Sequence, residues 1–371
     1  MHVSLNRRNT RGAYNTPMSS PTFRPGIICA LGAAALFGVS TPLAKLLVET
    51  VSPVMLAGIL YLGSGTGLLF WFLWRGHRRA HMAQEAALTR RDVPWLAGAI
   101  LTGGVLGPVL LMLGLSHTPA ASASLLLNLE GVFTAALAWF VFKENFDRRI
   151  ALGMALIVAG GVFLTWSDEA DGSATLWSLA IVGACFAWAI DNNLTRRISA
   201  GDPVQIAGIK GMVAGIVNTG IALAWGDALP DMSTLAAAGL LGALGYGVSL
   251  VLFVLALRHL GSARTGAYFS TAPFIGVALS LMLLRETPGP WFWAAAALMA
   301  MGVWLHLTER HEHEHAHELL EHGHRHTHDA HHQHTHDFLW DGIEPHSHYH
   351  THAPLGHSHP HYPDIHHRHR H

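Results

Sequence analysis

The chain has 371 residues, half of them hydrophobic and 13% charged, with a formal net charge of −1. A soluble globular protein carries about 25% charged residues, so this composition argues against both a water-soluble enzyme of this length and a disordered chain. The balanced charge leaves no basic patch for nucleic acid. The two cysteines, Cys29 and Cys185, lie in apolar runs that suit neither a disulfide framework nor a thiolate metal site.

Residues 1–25 are polar and carry Arg7, Arg8, Arg11 and Arg24. The apolar run that follows lacks a small-residue cleavage site, so it reads as an uncleaved first span. A helix needs about 20 apolar residues to cross the hydrocarbon core. Ten such runs occur, at 26–47, 53–74, 93–115, 119–142, 148–166, 175–195, 203–225, 232–257, 263–284 and 288–307. The third and fourth are nearly continuous. The expected fold is an all-α membrane protein of ten transmembrane helices in the lipid bilayer.

Lys and Arg set the orientation, because cytoplasmic loops retain them. With the N-terminus inside, the inner segments hold Arg75, Arg78, Arg79, Arg90 and Arg91, then Lys143, Arg148 and Arg149. Arg196, Arg197, Arg258 and Arg264 follow on the same side, leaving only Lys45 and Arg285 in outer loops. An even number of spans returns the C-terminus to the cytoplasm.

The chain repeats itself. Residues 116–144, from Ser116-His117-Thr118-Pro119 to Phe142-Lys143-Glu144, align without gaps on residues 258–286, and Gly160 falls on Gly302. Earlier, Gly32, Phe37, Leu43 and Lys45 match Gly183, Trp188, Leu194 and Arg196, and Ser52-Pro53 matches Asp202-Pro203. The units, 26–166 and 175–307, hold five spans each. An odd number inverts the second relative to the first, an architecture that places binding sites near the midplane where the halves meet.

The paired stretches LLLNLEGVFTAALAWFVFKEN (125–145) and STAPFIGVALSLMLLRET (270–287) resemble the EamA-type branch of the drug/metabolite transporter superfamily. The resemblance covers about 26–307. It implies a ten-helix secondary transporter, often an exporter of amino acids, related metabolites or drugs, driven by an ion or substrate gradient. Such proteins often carry Pro in the middle of the fourth span. Here that position is Gly131, while Pro273 is kept in the ninth. Small multidrug relatives use a first-helix glutamate; this first span has no carboxylate, so that mechanism does not transfer.

Ionisable groups inside a span are costly and are functional candidates. Glu130 lies about 16 Å into the fourth span at 1.5 Å per residue, and its repeat counterpart is Ala272. A carboxyl group there suits proton coupling, a substrate ammonium or a metal ion, and equally a neutral hydrogen-bonded tie between helices. Asp191, about 8 Å deep, and Lys210, about 10 Å deep, have uncharged counterparts, Ser40 and Leu60. They suit an ion pair, structural or transport-related, although Lys210 could instead neutralise Glu130. Asn192 and Asn193 extend this patch. Asn128, Asn218, Tyr246 and Tyr268 are candidates for a cavity wall or for interhelical hydrogen bonds. Ser40-Thr41-Pro42 could break the first span. Gly63, Gly65 and Gly67 read as close-packing positions, His117 and His259 as loop residues rather than ligands. The repeated Lys143-Glu144 and Arg285-Glu286 suggest a fold role at the ends of the fourth and ninth spans.

Of the 29 histidines, 23 lie in residues 311–371. They alternate as His-x-His through His311, His313, His315 and His317, then His322, His324, His326 and His328, and again through His346, His348, His350 and His352. The intervening residues cannot form a core, so 308–371 is expected to be a disordered cytoplasmic tail. Neutral imidazole binds nickel, zinc, cobalt and copper, so the tail is expected to hold divalent metal, while the body requires no cofactor.

The resulting expectation is an inner-membrane transporter of small organic metabolites, an exporter rather than an enzyme, with a metal- or pH-responsive tail. A homodimer is compatible with it. Two alternatives stay open: a transporter of divalent nickel, cobalt or zinc with the tail as collector, and a membrane-anchored metal sensor. The spans hold no His- or Cys-rich ligand set for the former, and one helix would suffice for the latter.

Overall fold

The computed structural model describes residues 23–78, 88–142, 148–166, 172–199 and 201–308, together with tail segments 312–316, 320–326, 346–352 and 356–360. Long helices dominate: α1 (Phe23–Val48), α2 (Pro53–Arg78), α3 (Val93–Ala99), α4 (Gly107–His117), α5 (Ala120–Leu126), α6 (Leu129–Phe142) and α7 (Arg148–Trp166). The second half follows with α8 (Gly172–Ile198), α9 (Pro203–Ala224), α10 (Met232–Leu241), α11 (Ser249–Phe269), α12 (Ala272–Leu283) and α13 (Pro290–Leu307). π-helical segments, Ile100–Leu106 and Gly242–Val248, join α3 to α4 and α10 to α11. They fall position for position on one another in the register that aligns Ser116 with Arg258.

Among the described residues nine stretches are long and apolar enough to cross a membrane. The remaining expected span, 175–195, lies in α8, whose 27 residues include Asp191, Asn192, Asn193, Arg196 and Arg197 and so lower its hydropathy. α8 nonetheless runs the length of the bundle. Its Trp177 stacks on His117, ring centroids 4.0 Å apart. Beyond its other end, the Ser199 carbonyl accepts from Arg258 Nε at 3.1 Å.

Contacts between loops sort into two ends. At one, Lys45 Nζ donates to the Leu115 and Thr118 carbonyls at 2.7 and 3.1 Å, and the Glu286 carboxylate accepts from the amides of Ala120 and Ala121. Glu286 therefore closes the start of α5, the N-terminal part of the fourth span, rather than the end of a span. Lys143 and Glu144 lie outside the described residues. At the other end, Arg258 holds the Ser199 and Gly201 carbonyls, and Gln205 accepts from the Leu88 amide at 3.1 Å.

Glycine lets helices meet backbone to backbone. Along α2, Gly58 packs on Thr219, Gly215 on Leu62 and Gly65 on Met212, so partner numbers fall as α2 numbers rise. α2 and α9 thus run antiparallel. Gly65 and Gly215 are repeat equivalents, as are Leu62 and Met212, so the contact is reciprocal about a local two-fold. α7 and α13 behave alike, with Gly153 near His306, Ile157 on Gly302 and Gly160 on Met299. Gly63 meets the Gly239 backbone and Gly67 the Ala243 side chain, as close packing requires. A Cβ at Gly242 would fall on the Leu60 carbonyl oxygen. Gly242→Ala is therefore expected to destabilise the protein by about 1–3 kcal/mol, read as a lower melting temperature in detergent.

One expectation is corrected. α1 is continuous across Ser40-Thr41-Pro42: proline removes one backbone donor, and Ser40 Oγ donates to the Phe37 carbonyl at 2.6 Å within an intact helix. The breaks fall instead between α5 and α6 at Leu127-Asn128, and between α11 and α12 at Ser270-Thr271, within one residue of equivalence. Within the tail, the described residues form the strands β1 (Glu312–Ala316), β2 (Leu320–His326), β3 (His346–His352) and β4 (Gly356–Pro360). β1 pairs antiparallel with β4, and β2 with β3. The strict His-x-His alternation matches the two-residue period of a strand, so it suits pairing without needing an apolar core.

Candidate functional site

α6 begins immediately after the Leu127-Asn128 break, which puts Glu130 in its first turn, inside the bundle. The Glu130 side chain is 9% exposed, and its Oε1 accepts from Asn192 Nδ2 of α8 at 2.7 Å. Asn192 also donates to Thr134 Oγ1, one turn along α6, at 3.3 Å. A buried carboxyl group is stable only with such partners, and here its partner is a neutral amide rather than a cation.

Lys210 of α9 pairs with Asp191, not with Glu130, which resolves the open question of its partner. Lys210 is 2% exposed and Asp191 4%. Thr195 Oγ1 donates to the second Asp191 oxygen at 2.9 Å. Asp191 fits because residue 103 is glycine; a Cβ there would occupy the place of the carboxylate. The π-helical turn around Gly103 and Gly104 also turns backbone carbonyls towards side chains. The Gly103 oxygen accepts from Tyr61 at 2.6 Å and from Trp188 at 3.0 Å, and the Gly104 oxygen from Asn218 at 3.1 Å.

Two adjoining cavities meet here. Both touch Glu130 and Asn192, and the second also reaches Asp191 and Lys210. Their walls are aromatic. Phe37 packs edge to face on Trp188 at 5.7 Å and on Tyr246 at 5.8 Å, and Tyr61 lies 5.6 Å from Tyr246. Phe37 and Trp188 are repeat equivalents that touch, so the cavity sits where the two halves meet.

Of the sequence candidates, Glu130, Asp191, Asn192, Lys210 and Tyr246 come together. Asn128 turns away, donating to the Leu125 carbonyl and contacting Met299 Sδ of α13. Asn193 ties α8 to the Thr134 carbonyl, Asn218 serves the π-helical turn, and Tyr268 packs in an apolar cluster with Ala30 and Leu260. Sequence reasoning missed Tyr61, Trp188, Phe253 and Phe269 as cavity walls, and Gly103 as the residue that admits Asp191. The aligned pair Phe37 and Trp188 was the available signal. Side chains of the tail histidines lie outside the description, as do His311, His317 and His328 altogether.

A many-helix membrane bundle that encloses a polar, aromatic-walled cavity is built like a transport protein. The chain belongs to the EamA-like transporter family, which matches residues 24–166 and 175–308. An "Uncharacterized transporter" of Methanothermobacter thermautotrophicus is 30% identical over 278 residues, 70% of this chain and 80% of that protein. The "Uncharacterized inner membrane transporter YedA" of Escherichia coli K12 is 23% identical, covering 65% of this chain and 76% of its own. A "Probable amino-acid metabolite efflux pump" of Salmonella typhimurium is 34% identical over 86 residues, 23% of this chain and 29% of that one. A solved chain titled "Crystal structure of protein" shares the fold, with TM-score 0.56 at 16% identity, over 77% of this chain and 96% of that one. The protein is thus a multi-pass membrane transporter.

Proposed function

We propose that this transporter exports small organic metabolites carrying an ammonium group, such as amino acids or related amines, by alternating access between two inverted five-helix halves. The observation that carries the reading is Glu130, a buried carboxyl group without a cationic partner among its hydrogen bonds, facing a cavity walled by aromatic rings. A carboxylate beside aromatic faces suits an organic cation or zwitterion, with the ammonium at Glu130 and the remainder against the rings. Glu130 also serves as the coupling group, exchanging a proton for substrate. The antiparallel, reciprocal packing of α2 on α9 supports the inverted arrangement, with α8 as the tenth span and both termini on the Arg-rich cytoplasmic side.

A metal substrate is less well supported. Among the described residues no group of three or more His, Cys, Asp or Glu comes together, and Asp191 is engaged by Lys210. The test uses the full chain in proteoliposomes loaded in turn with labelled amino acids and amines, or with nickel, cobalt and zinc. Saturable counterflow of an organic ammonium compound, stimulated by an opposing proton gradient, is the expected result. Saturable metal flux with no organic counterflow overturns the reading.

A further inference from the structure

The tail strands have one register. Moving eight residues on from Glu312 to Leu320 moves the opposite residue eight back, from Pro360 to His352, so both ribbons belong to one hairpin alignment. Within β2·β3, His322 faces His350, His324 faces His348 and His326 faces His346. Within β1·β4, His313 faces His359 and His315 faces His357. Residues directly opposite in an antiparallel pair lie on the same face, and positions two apart on one strand do so as well. The backbone therefore collects histidine on one face of each ribbon. On the other face stand Glu321, Thr351, Gly323 and Tyr349 of β2·β3, and Glu314 and Ser358 of β1·β4.

We infer that each ribbon is a metal site, in which two adjacent cross-strand His pairs supply a four-imidazole set for one divalent zinc or nickel ion. Opposed Cβ atoms stand about 4.5–5.5 Å apart, and same-face neighbours on one strand about 6.6 Å apart. Four histidine positions at the corners of a rectangle of that size match the four-ligand count of a structural zinc site. β1·β4 contains one such set, from His313, His315, His357 and His359. β2·β3 contains three consecutive pairs, enough for one set with a pair to spare. Because each site draws on two strands far apart in sequence, the ion closes the hairpin and offsets the entropy of doing so. The paired strands then act as metal-loaded ribbons rather than as parts of a flexible chelator. This inference is independent of what the membrane body transports.

A flexible chelator depends on the number of histidines, whereas a ribbon depends on their parity. The test is therefore an exchange that conserves composition: His348→Tyr with Tyr349→His, and His357→Ser with Ser358→His, made together in the full chain. Each exchange moves one histidine to the opposite face and reduces its four-imidazole set to three. Zinc is titrated calorimetrically into wild type and variant in detergent. Wild type is expected to take up about two zinc ions tightly. The variant should bind them roughly tenfold or more weakly, since even outer-shell partners cost about 10–100-fold. Spin labels at Ala316 and Gly356, opposed in register and untouched by the exchange, should converge to one short distance on zinc addition in wild type and stay broadly distributed in the variant. Equal affinity and stoichiometry in the two proteins, or no zinc uptake by wild type, overturns the inference.

Discussion

Glu130→Gln is expected to leave the protein inserted, monodisperse and normally stable, and to abolish net flux driven by a proton gradient. Glutamine keeps the Oε1 acceptor that takes the Asn192 Nδ2 donor at 2.7 Å, so the contact between α6 and α8 persists. What it loses is the ability to gain and release a proton or to carry a negative charge. A carboxyl group confined in an apolar enclosure holds that capacity in reserve, because its charged form is costly unless a cation arrives. Flux assays in proteoliposomes read the outcome, and substrate binding separates the two roles of Glu130. Retained binding with no net flux assigns it to proton coupling, whereas loss of both assigns it to the substrate ammonium. Full turnover by Glu130→Gln would make Glu130 a structural tie and remove it from the mechanism.

The second large effect belongs to the buried ion pair. Lys210→Met leaves Asp191 charged in the bundle, with only Thr195 as a side-chain hydrogen-bond donor. Removing one member of such a pair typically costs about 3–5 kcal/mol, since the remaining charge is uncompensated. The double change Asp191→Asn with Lys210→Met removes both charges, keeps an acceptor for Thr195 and is expected to recover most of that loss. Melting temperatures in detergent for the two single variants and the double variant complete the cycle. A single-variant cost below about 1 kcal/mol would mean that water reaches the pair and that it behaves like an exposed one. Transport by the recovered double variant then decides whether the pair also serves substrate: full activity confines it to the fold, and a stable but inactive protein places it on the pathway.

The sequence alone determined the membrane class, because twenty-residue apolar runs and a shortage of charge admit no soluble core of this size. The internal duplication was legible too, and the family match falls on both copies. Glu130, Asp191 and Lys210 were legible as candidates because charge inside a span is conspicuous. Their partners were not. A linear distance in residues converts to depth along a helix but says nothing of which face meets which neighbour, so Lys210 had two candidate partners until α8 and α9 were packed. The glycines were visible, but only the packed structure distinguishes Gly103, which makes room for a carboxylate, from Gly65, which lets two backbones touch.

Helix irregularity was likewise beyond the sequence. Proline marked α1 for a break that the helix does not show, while the real break precedes Glu130 at Leu127-Asn128, a pair with no local signal for one. In a bundle, neighbouring helices and hydroxyl side chains satisfy the groups a proline frees, so tertiary contacts override local propensity. The histidine tail reverses the pattern. Its composition predicted no core, yet its two-residue alternation already contained the face that pairing creates. Only the strand register decided which histidines stand opposite one another, because parity is a property of one strand and register a property of two.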